Sequence, residues 1–366
     1  MNESSYVECE DDYEEEEVAE VDFRKEGYRN DQLYCAHLML KQAWNGNFGA
    51  PVNDLLSSNS DAKVLDFGCG SGYWTLEMAT EYPSPKFYGI NPVASFPGSV
   101  LPRNVEFIVS NVLTDTLPFK DAEFDYVFAR NIMFTFHKPN FESIVMKEIL
   151  RVLKPGGYIE FVEEEIIEGH NRGKALMHWN IDGLKVWLES QKIDYEIICR
   201  FKECLQSTNQ LKDITEQKLK IPIGKSNGFI GELAAEYIMC TVKSMADNLM
   251  PIMNLTNEEY DHLVEEIEKE VKENEEEYNA YFHFRRYFAI KILKENSALR
   301  RTIILPLLRE IYNGIFMAIC VRDLNLSLHI SESFVSVQVQ VMKLINWTAN
   351  TSSDNTLNIW HNNSIL

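Results

Sequence analysis

One stretch of the chain has the residue types and spacing to do chemistry: VLDFGCGSGYWTLEMA, Val64 to Ala79. Asp66, Gly68, Gly70 and Gly72 alternate between an apolar run and a helical pattern. Glycine lets a backbone turn sharply and come close to a ligand. A helix starting near Tyr73 adds N–H groups suited to a carboxylate or phosphate. A dinucleotide fingerprint, G-x-G-x-x-G, needs a third glycine where this chain has Tyr73, which argues against a nicotinamide dehydrogenase. A phosphate-binding G-x-x-x-x-G-K-S run is also missing, because the first glycine before Gly224-Lys225-Ser226 would stand at Leu219. D-x-G-x-G-x-G remains, with Asp66 placed to anchor the loop and favour a cationic ligand. The bland reading of the same loop is tight strand–helix packing with no ligand.

Positioning such a loop takes a buried strand before it and a helix after it. Strand-like runs fall at Val64–Phe67, Lys86–Ile90, Val105–Val109, Phe124–Ala129 and Tyr158–Val162. Helix-like segments Tyr73–Glu81 and Asn140–Leu153 lie between them, the second stopped by Lys-Pro-Gly-Gly. That alternation predicts a doubly wound α/β domain with a parallel sheet. Upstream, Leu33, His37, Leu40 and Trp44 are spaced as one face of a helix. Downstream, Leu176, Met177, Ile181, Leu184, Trp187 and Leu188 are again helical, and Thr256 to Glu259 reads as a capping box before a long charged helix. The chain divides accordingly into an acidic tail (1–26), a helical leader (27–56), a ligand-binding core (57–168), a helical region that completes the fold (169–293) and a divergent extension (294–366).

Charge and cysteine usage limit the partners. The 366 residues carry a net charge of −21, and residues 1–26 hold 12 acids against Arg24 and Lys25. Such a tail is predicted to be disordered and solvated, with docking of a basic partner as its alternative use. The acidity argues against direct nucleic-acid binding, which depends on Lys and Arg neutralising phosphates. Seven scattered cysteines with no C-x-x-C pair indicate neither a disulfide framework nor a zinc site, and suit the cytoplasm or nucleus. No apolar signal segment opens the chain, and Arg309, Glu310 and Asn313 interrupt the apolar run Thr302–Val321, so no membrane span is expected. Four N-x-S/T sequons, at Asn325, Asn346, Asn350 and Asn363, read as chance matches.

The glycine loop resembles motif I of the class I S-adenosylmethionine-dependent methyltransferases. FYGINPV (Phe87–Val93), NVLTDTLPFKDAEFDYVFARN (Asn111–Asn131) and KEILRVLKPGGYIEFVE (Lys147–Glu163) are similar, in the right order, to that family's later motifs. The leader NDQLYCAHLMLKQAWNGNFGAPV, together with FPGSVLPRNVEFIVSNV, IPIGKSNGFIGEL and LTNEEYDHLVEEIEKE, looks like fungal LaeA-like methyltransferases over roughly residues 28–293. The resemblance implies a Rossmann-like, mostly parallel seven-stranded sheet. It also implies S-adenosyl-L-methionine held by Asp66, Gly68, Cys69, Gly70, Gly72, Asn91, Asn111, Val112 and Arg130. Two residues depart from the family pattern, since Asn91 and Asn111 stand where it usually has acids. An asparagine oxygen still accepts a hydrogen bond but lacks the charge-assisted strength of a carboxylate, so weaker cofactor binding is expected.

Methyl transfer from a sulfonium asks the protein mainly for positioning and electrostatics. Ala129-Arg130-Asn131-Ile132 replaces the Asn/Asp-Pro-Pro-Tyr expected for amino-methylation of bases or glutamine, and no metal-ligand cluster is seen. No catalytic residue is assigned. His137 is a base candidate or a surface histidine. Glu163 and Glu164 either meet a cationic substrate or are solvated carboxylates. His170 and His178 are weaker candidates, Arg130 contacts either the cofactor or a substrate, and Trp74 reads as core, with cofactor-side contact as its alternative. Two functions follow: a methyltransferase acting on a small molecule or protein, or a catalytically weak cofactor-binding regulator of the secondary-metabolism type.

Overall fold

The computed structural model describes residues 26–137, 141–166, 173–273 and 280–293. All but one of the acidic-tail residues, the extension from 294 with its apolar run and sequons, and His170 lie outside the described residues.

Seven strands form one sheet in the order β3-β2-β1-β4-β5-β7-β6. They are β1 (Lys63–Phe67), β2 (Lys86–Asn91), β3 (Val105–Val109), β4 (Phe124–Arg130), β5 (Leu153–Glu165), β6 (Leu211–Pro222) and β7 (Tyr281–Lys291). The first five run parallel, and β7 is antiparallel to both β5 and β6. The helices are α1 (Glu26–Trp44), α2 (Asn53–Ser58), α3 (Tyr73–Glu81), α4 (Lys147–Val152), α5 (Lys174–His178), α6 (Val186–Ser190), α7 (Phe201–Ser207), α8 (Gly228–Ser244), α9 (Ala246–Met253) and α10 (Asn257–Glu268).

Alternation along each inner strand sends side chains into two cores. Val64, Tyr126, Phe128 and Val162 face the layer of α1, α3 and α8, whereas Leu65, Val127, Ala129 and Phe161 face the layer of α4 and α7. Trp74 is buried on the first side, stacked on Phe128 with centroids 4.0 Å apart, and its indole N–H donates to Asn47 O at 2.8 Å. The order in which strands are added switches sides at β1, with β2 and β3 to one side and β4 and β5 to the other, which places a crevice at the C-terminal ends of β1 and β4.

The structure departs from the sequence reading in three places. The helix expected over 140–153 begins as a wide π-type turn, Phe141–Met146, before α4. β5 starts at Leu153 rather than Tyr158, because Leu153 already pairs with Phe124 across a register shift. The region 169–293 contributes β6 and β7 as well as helices. The predicted capping box is present: Glu259 N–H donates to Thr256 Oγ1 and Thr256 N–H to Glu259 Oε2. Such a cap stabilises a helix by about 1 kcal/mol.

The leader is built into the core. Glu160 of β5, fully buried, accepts the N–H groups of Gly49 and Ala50 at 2.8–3.0 Å and the Tyr126 hydroxyl at 3.0 Å. Arg286 of β7 brings Nε to 3.1 Å from Glu160 Oε1 as an ion pair without hydrogen-bond alignment, and its guanidinium lies over the Trp44 ring. A buried carboxylate needs this much compensation.

Candidate functional site

The glycine loop leaves β1 at the crevice. Gly68, Gly70 and Gly72 all have left-handed backbone, with φ of 75°, 54° and 77°. A Cβ on Gly68 would lie 2.6 Å from Ile132 Cγ2, and one on Gly72 would lie 2.5 Å from Phe107 Cζ. These glycines are therefore required twice, by conformation and by the close approach of neighbouring side chains. No side chain of Gly72, the cap residue, closes the N-terminus of α3.

Asp66 turns inward. It is 4% exposed, and its Oδ2 accepts the Thr75 hydroxyl at 2.6 Å, which ties β1 to the first turn of α3. Burial pushes its carboxyl up to about 6, against the Thr75 bonds and the Arg130 charge. Cys69 is half-buried, and burial, with Asp66 nearby, drives its thiol far above the usual range. It is therefore no nucleophile.

Arg130, the last residue of β4, shares the face of the sheet occupied by Asp66. Burial brings its guanidinium down to about 10 while Asp66 and Glu77 oppose the shift. Its hydrogen bond among the described residues is donated to His37 Nδ1 of α1. His37 in turn lies 2.6 Å from Glu77 Oε2 on α3, and Lys41 bonds the other Glu77 oxygen. Burial first, and Arg130 second, hold the His37 imidazole down at about 4, so it is neutral. The leader also reaches the loop directly. Ser71 Oγ donates to Asn30 Oδ1 at 2.7 Å, and Leu33 packs over Gly70.

Asn91, at the end of β2, is 7% exposed. Its amide nitrogen donates to Val93 O at 2.8 Å and Ser95 Oγ at 3.3 Å, and Ser95 donates onward to Gly70 O at 2.9 Å. No donor among the described residues engages Asn91 Oδ1, so the accepting end of this side chain is the one left for a ligand hydroxyl. Asn111 differs, because its Oδ1 accepts the Leu113 N–H at 3.1 Å and shapes its own turn. Val112 beside it is buried.

The structure thus brings Asp66, the three glycines, Cys69, Asn91 and Arg130 to one crevice and places Asn111 and Val112 in the turn after β3. The fit to S-adenosylmethionine lies in the donor set. Left-handed glycine backbone and a guanidinium with unused N–H groups suit an amino-acid carboxylate, and Asn91 Oδ1 suits a ribose hydroxyl.

Other candidates change standing. Glu163 neither meets solvent nor lies open to a substrate, because it is 1% exposed with Oε1 accepting Ile132 N–H at 2.8 Å. Glu164 accepts the Tyr237 hydroxyl at 3.2 Å. His137 is partly buried and bridges to the backbone of Ile193, and exposed His178 pairs with Asp182. Among the described residues no group of three or more His, Cys, Asp or Glu is disposed to hold a metal ion, and no helix is long and apolar enough to cross a membrane. The sequence reading missed His37 and Glu77 as site residues. Its only signal was a histidine on the inward face of α1.

Residues 64–157 match the model of a methyltransferase domain family. The chain is 29% identical over 166 residues to the methyltransferase str3 of Strobilurus tenacellus, covering 44% of this chain and 57% of that protein. It is also 29% identical over 134 residues to the N-methyltransferase verN of Clonostachys rogersoniana (35% and 44%), and 32% identical over 112 residues to a demethylmenaquinone methyltransferase of Lactococcus lactis (27% and 41%). The chain spans less than three-fifths of the length of these curated relatives. Among solved structures, a phosphoethanolamine N-methyltransferase 2 of Haemonchus contortus in complex with S-adenosyl-L-methionine aligns at a TM-score of 0.43 and 16% identity, over 73% of this chain and 60% of that one.

Proposed function

We propose that this protein is an S-adenosyl-L-methionine-dependent methyltransferase acting on a small-molecule acceptor. The observation that carries the reading is the left-handed Gly68-Gly70-Gly72 loop, which leaves β1 beside the end of the adjacent strand β4 that carries Arg130, inside the segment that matches a methyltransferase domain. Relatives named for N-methyl transfer and for demethylmenaquinone support the reaction class and a small acceptor.

The bound cofactor would supply an electrophilic methyl group on a sulfonium. The chain's share is to hold and orient it. The glycine loop and Arg130 would take its amino-acid end, and Asn91 Oδ1 its ribose. Buried Asp66 keeps the loop attached to α3 and contributes negative charge close to a cationic ligand. Arg130 stays oriented because neutral His37 accepts from it.

Calorimetric titration of the purified protein with S-adenosylmethionine tests the cofactor. Binding weaker than in a family member with acids at positions 91 and 111 is expected, and no binding at millimolar ligand overturns the reading. Incubation of cell extract with deuterated-methyl cofactor, with Gly72→Ala as control, tests transfer. Label in metabolites with the wild type alone supports it. Cofactor binding without label in any product would leave the regulatory alternative standing in place of the enzyme.

A further inference from the structure

Glu163 sits at the C-terminal end of β5, buried beside the end of β4. Its Oε1 accepts the Ile132 N–H at 2.8 Å, and the neighbouring amides of Asn131 and Met133 also favour its charged form. The turn it holds is an unusual piece of backbone. Asn131 is left-handed, with φ of 54°, and its N–H donates to Val162 O at 3.0 Å. Ile132 follows with its side chain pressed on Gly68, leaving no room there for a Cβ. A continuous set of contacts therefore runs from the Glu163 carboxyl, through the Ile132 amide and side chain, to the first glycine of the loop. Arg130 lies immediately before the same turn.

We propose that Glu163 is a positioning residue that fixes the turn 131–133 and, through Ile132, the glycine loop, so that it sets cofactor affinity without touching the cofactor. This rests on the cofactor reading above. A polar side chain is costly at this depth, and a leucine of similar size would fill the space. What leucine cannot do is accept the Ile132 N–H, which would then be buried without a partner. Burial raises the Glu163 carboxyl to about 8, so near neutral pH it is mostly the protonated acid, and glutamine is its close isostere.

The test compares Glu163→Gln, Glu163→Leu and Ile132→Ala in the full chain. Two readouts are used: calorimetric Kd for S-adenosylmethionine, and amide hydrogen exchange at residues 68–72 and 131–133. Glu163→Gln is expected to match the wild type within about two-fold, and Glu163→Leu to raise Kd on the order of ten-fold with faster exchange in both segments. Ile132→Ala keeps the Glu163 bond, which is made by the backbone N–H, but removes the Cγ2 that lies against Gly68, and is expected to weaken binding several-fold. A folded Glu163→Leu with wild-type Kd and exchange overturns the inference. Should that variant not fold, unchanged binding and exchange at 68–72 in Ile132→Ala overturn it instead. If the wild type binds no S-adenosylmethionine, the cofactor reading fails on its own. Exchange then decides: equal protection of 68–72 in Glu163→Gln and Glu163→Leu removes the positioning role.

Discussion

Arg130 Nη2 lies 3.1 Å from Nδ1 of His37, a residue 93 positions earlier in the chain. Guanidinium groups only donate, so Nδ1 is the acceptor and the imidazole proton sits on Nε2, where it donates to Glu77 at 2.6 Å. One neutral ring thus ties the leader, β4 and α3 together at the crevice.

Replacing that ring tests its role. His37→Phe keeps the bulk but strands the guanidinium without an acceptor. Kd for S-adenosylmethionine should rise on the order of ten-fold by calorimetry, because the guanidinium loses the acceptor that orients it toward the ligand. In the wild type, the His37 resonances should not titrate between about pH 5 and 8. A midpoint near that of a free imidazole would count against the arrangement.

Stability should fall between pH 6.5 and 8. His37, lowered from 6.5 to about 4, contributes stability that grows as pH climbs through that interval. Asp66, raised from 3.8 to about 6, contributes a loss over nearly the same interval, so the two largely offset. Glu163, raised from 4.5 to about 8, is the one of the three still titrating above 6.5. The folded protein keeps a proton there that the unfolded chain releases, so stability drops by about 2 kcal/mol across that window. Urea unfolding at both ends of the window reads this directly, and Glu163→Gln should flatten the slope.

Gly72→Ala should cost about 1–3 kcal/mol, because alanine resists a left-handed backbone. The new methyl would also strike Phe107. Adding Phe107→Leu should relieve the collision but not the backbone strain, so only part of the lost melting temperature returns. Full recovery would show that sterics alone demanded glycine.

Arg286→Met leaves the Glu160 charge buried with only the Gly49 and Ala50 amides and the Tyr126 hydroxyl. A loss of about 3–5 kcal/mol is expected by denaturant titration. The double variant with Glu160→Gln should recover most of it, since glutamine accepts the same amides without a charge to neutralise.

The five parallel strands were readable because each is an apolar run bounded by turn residues, and the glycine loop because its spacing rules out other ligands. β7 was hidden by Arg285-Arg286, two charges in the middle of an otherwise alternating strand. Its partner β6, at the sheet edge, carries Lys212, Glu216, Lys218 and Lys220, which blur its alternation. Within the site, Asp66 and Asn91 could be placed from order along the chain. His37, Glu77 and Glu163 could not, because their roles depend on partners 31 to 93 residues distant. Glu163 in particular looked solvated, being one of three consecutive acids. Only the sheet shows that the first of these turns into the protein.

The clasp at Glu160 has a consequence for how the chain is made. Its donors come from residues 49–50 at one end and Arg286 at the other, so the first folded layer is complete only when nearly the last strand is available. During synthesis the leader emerges early and must wait through more than two hundred residues for the cation that neutralises its anchor. Contacts between residues this far apart in sequence form late and slow folding. A nascent chain stalled before residue 286 should therefore remain a ready client for chaperones and proteases, however complete its glycine loop already is.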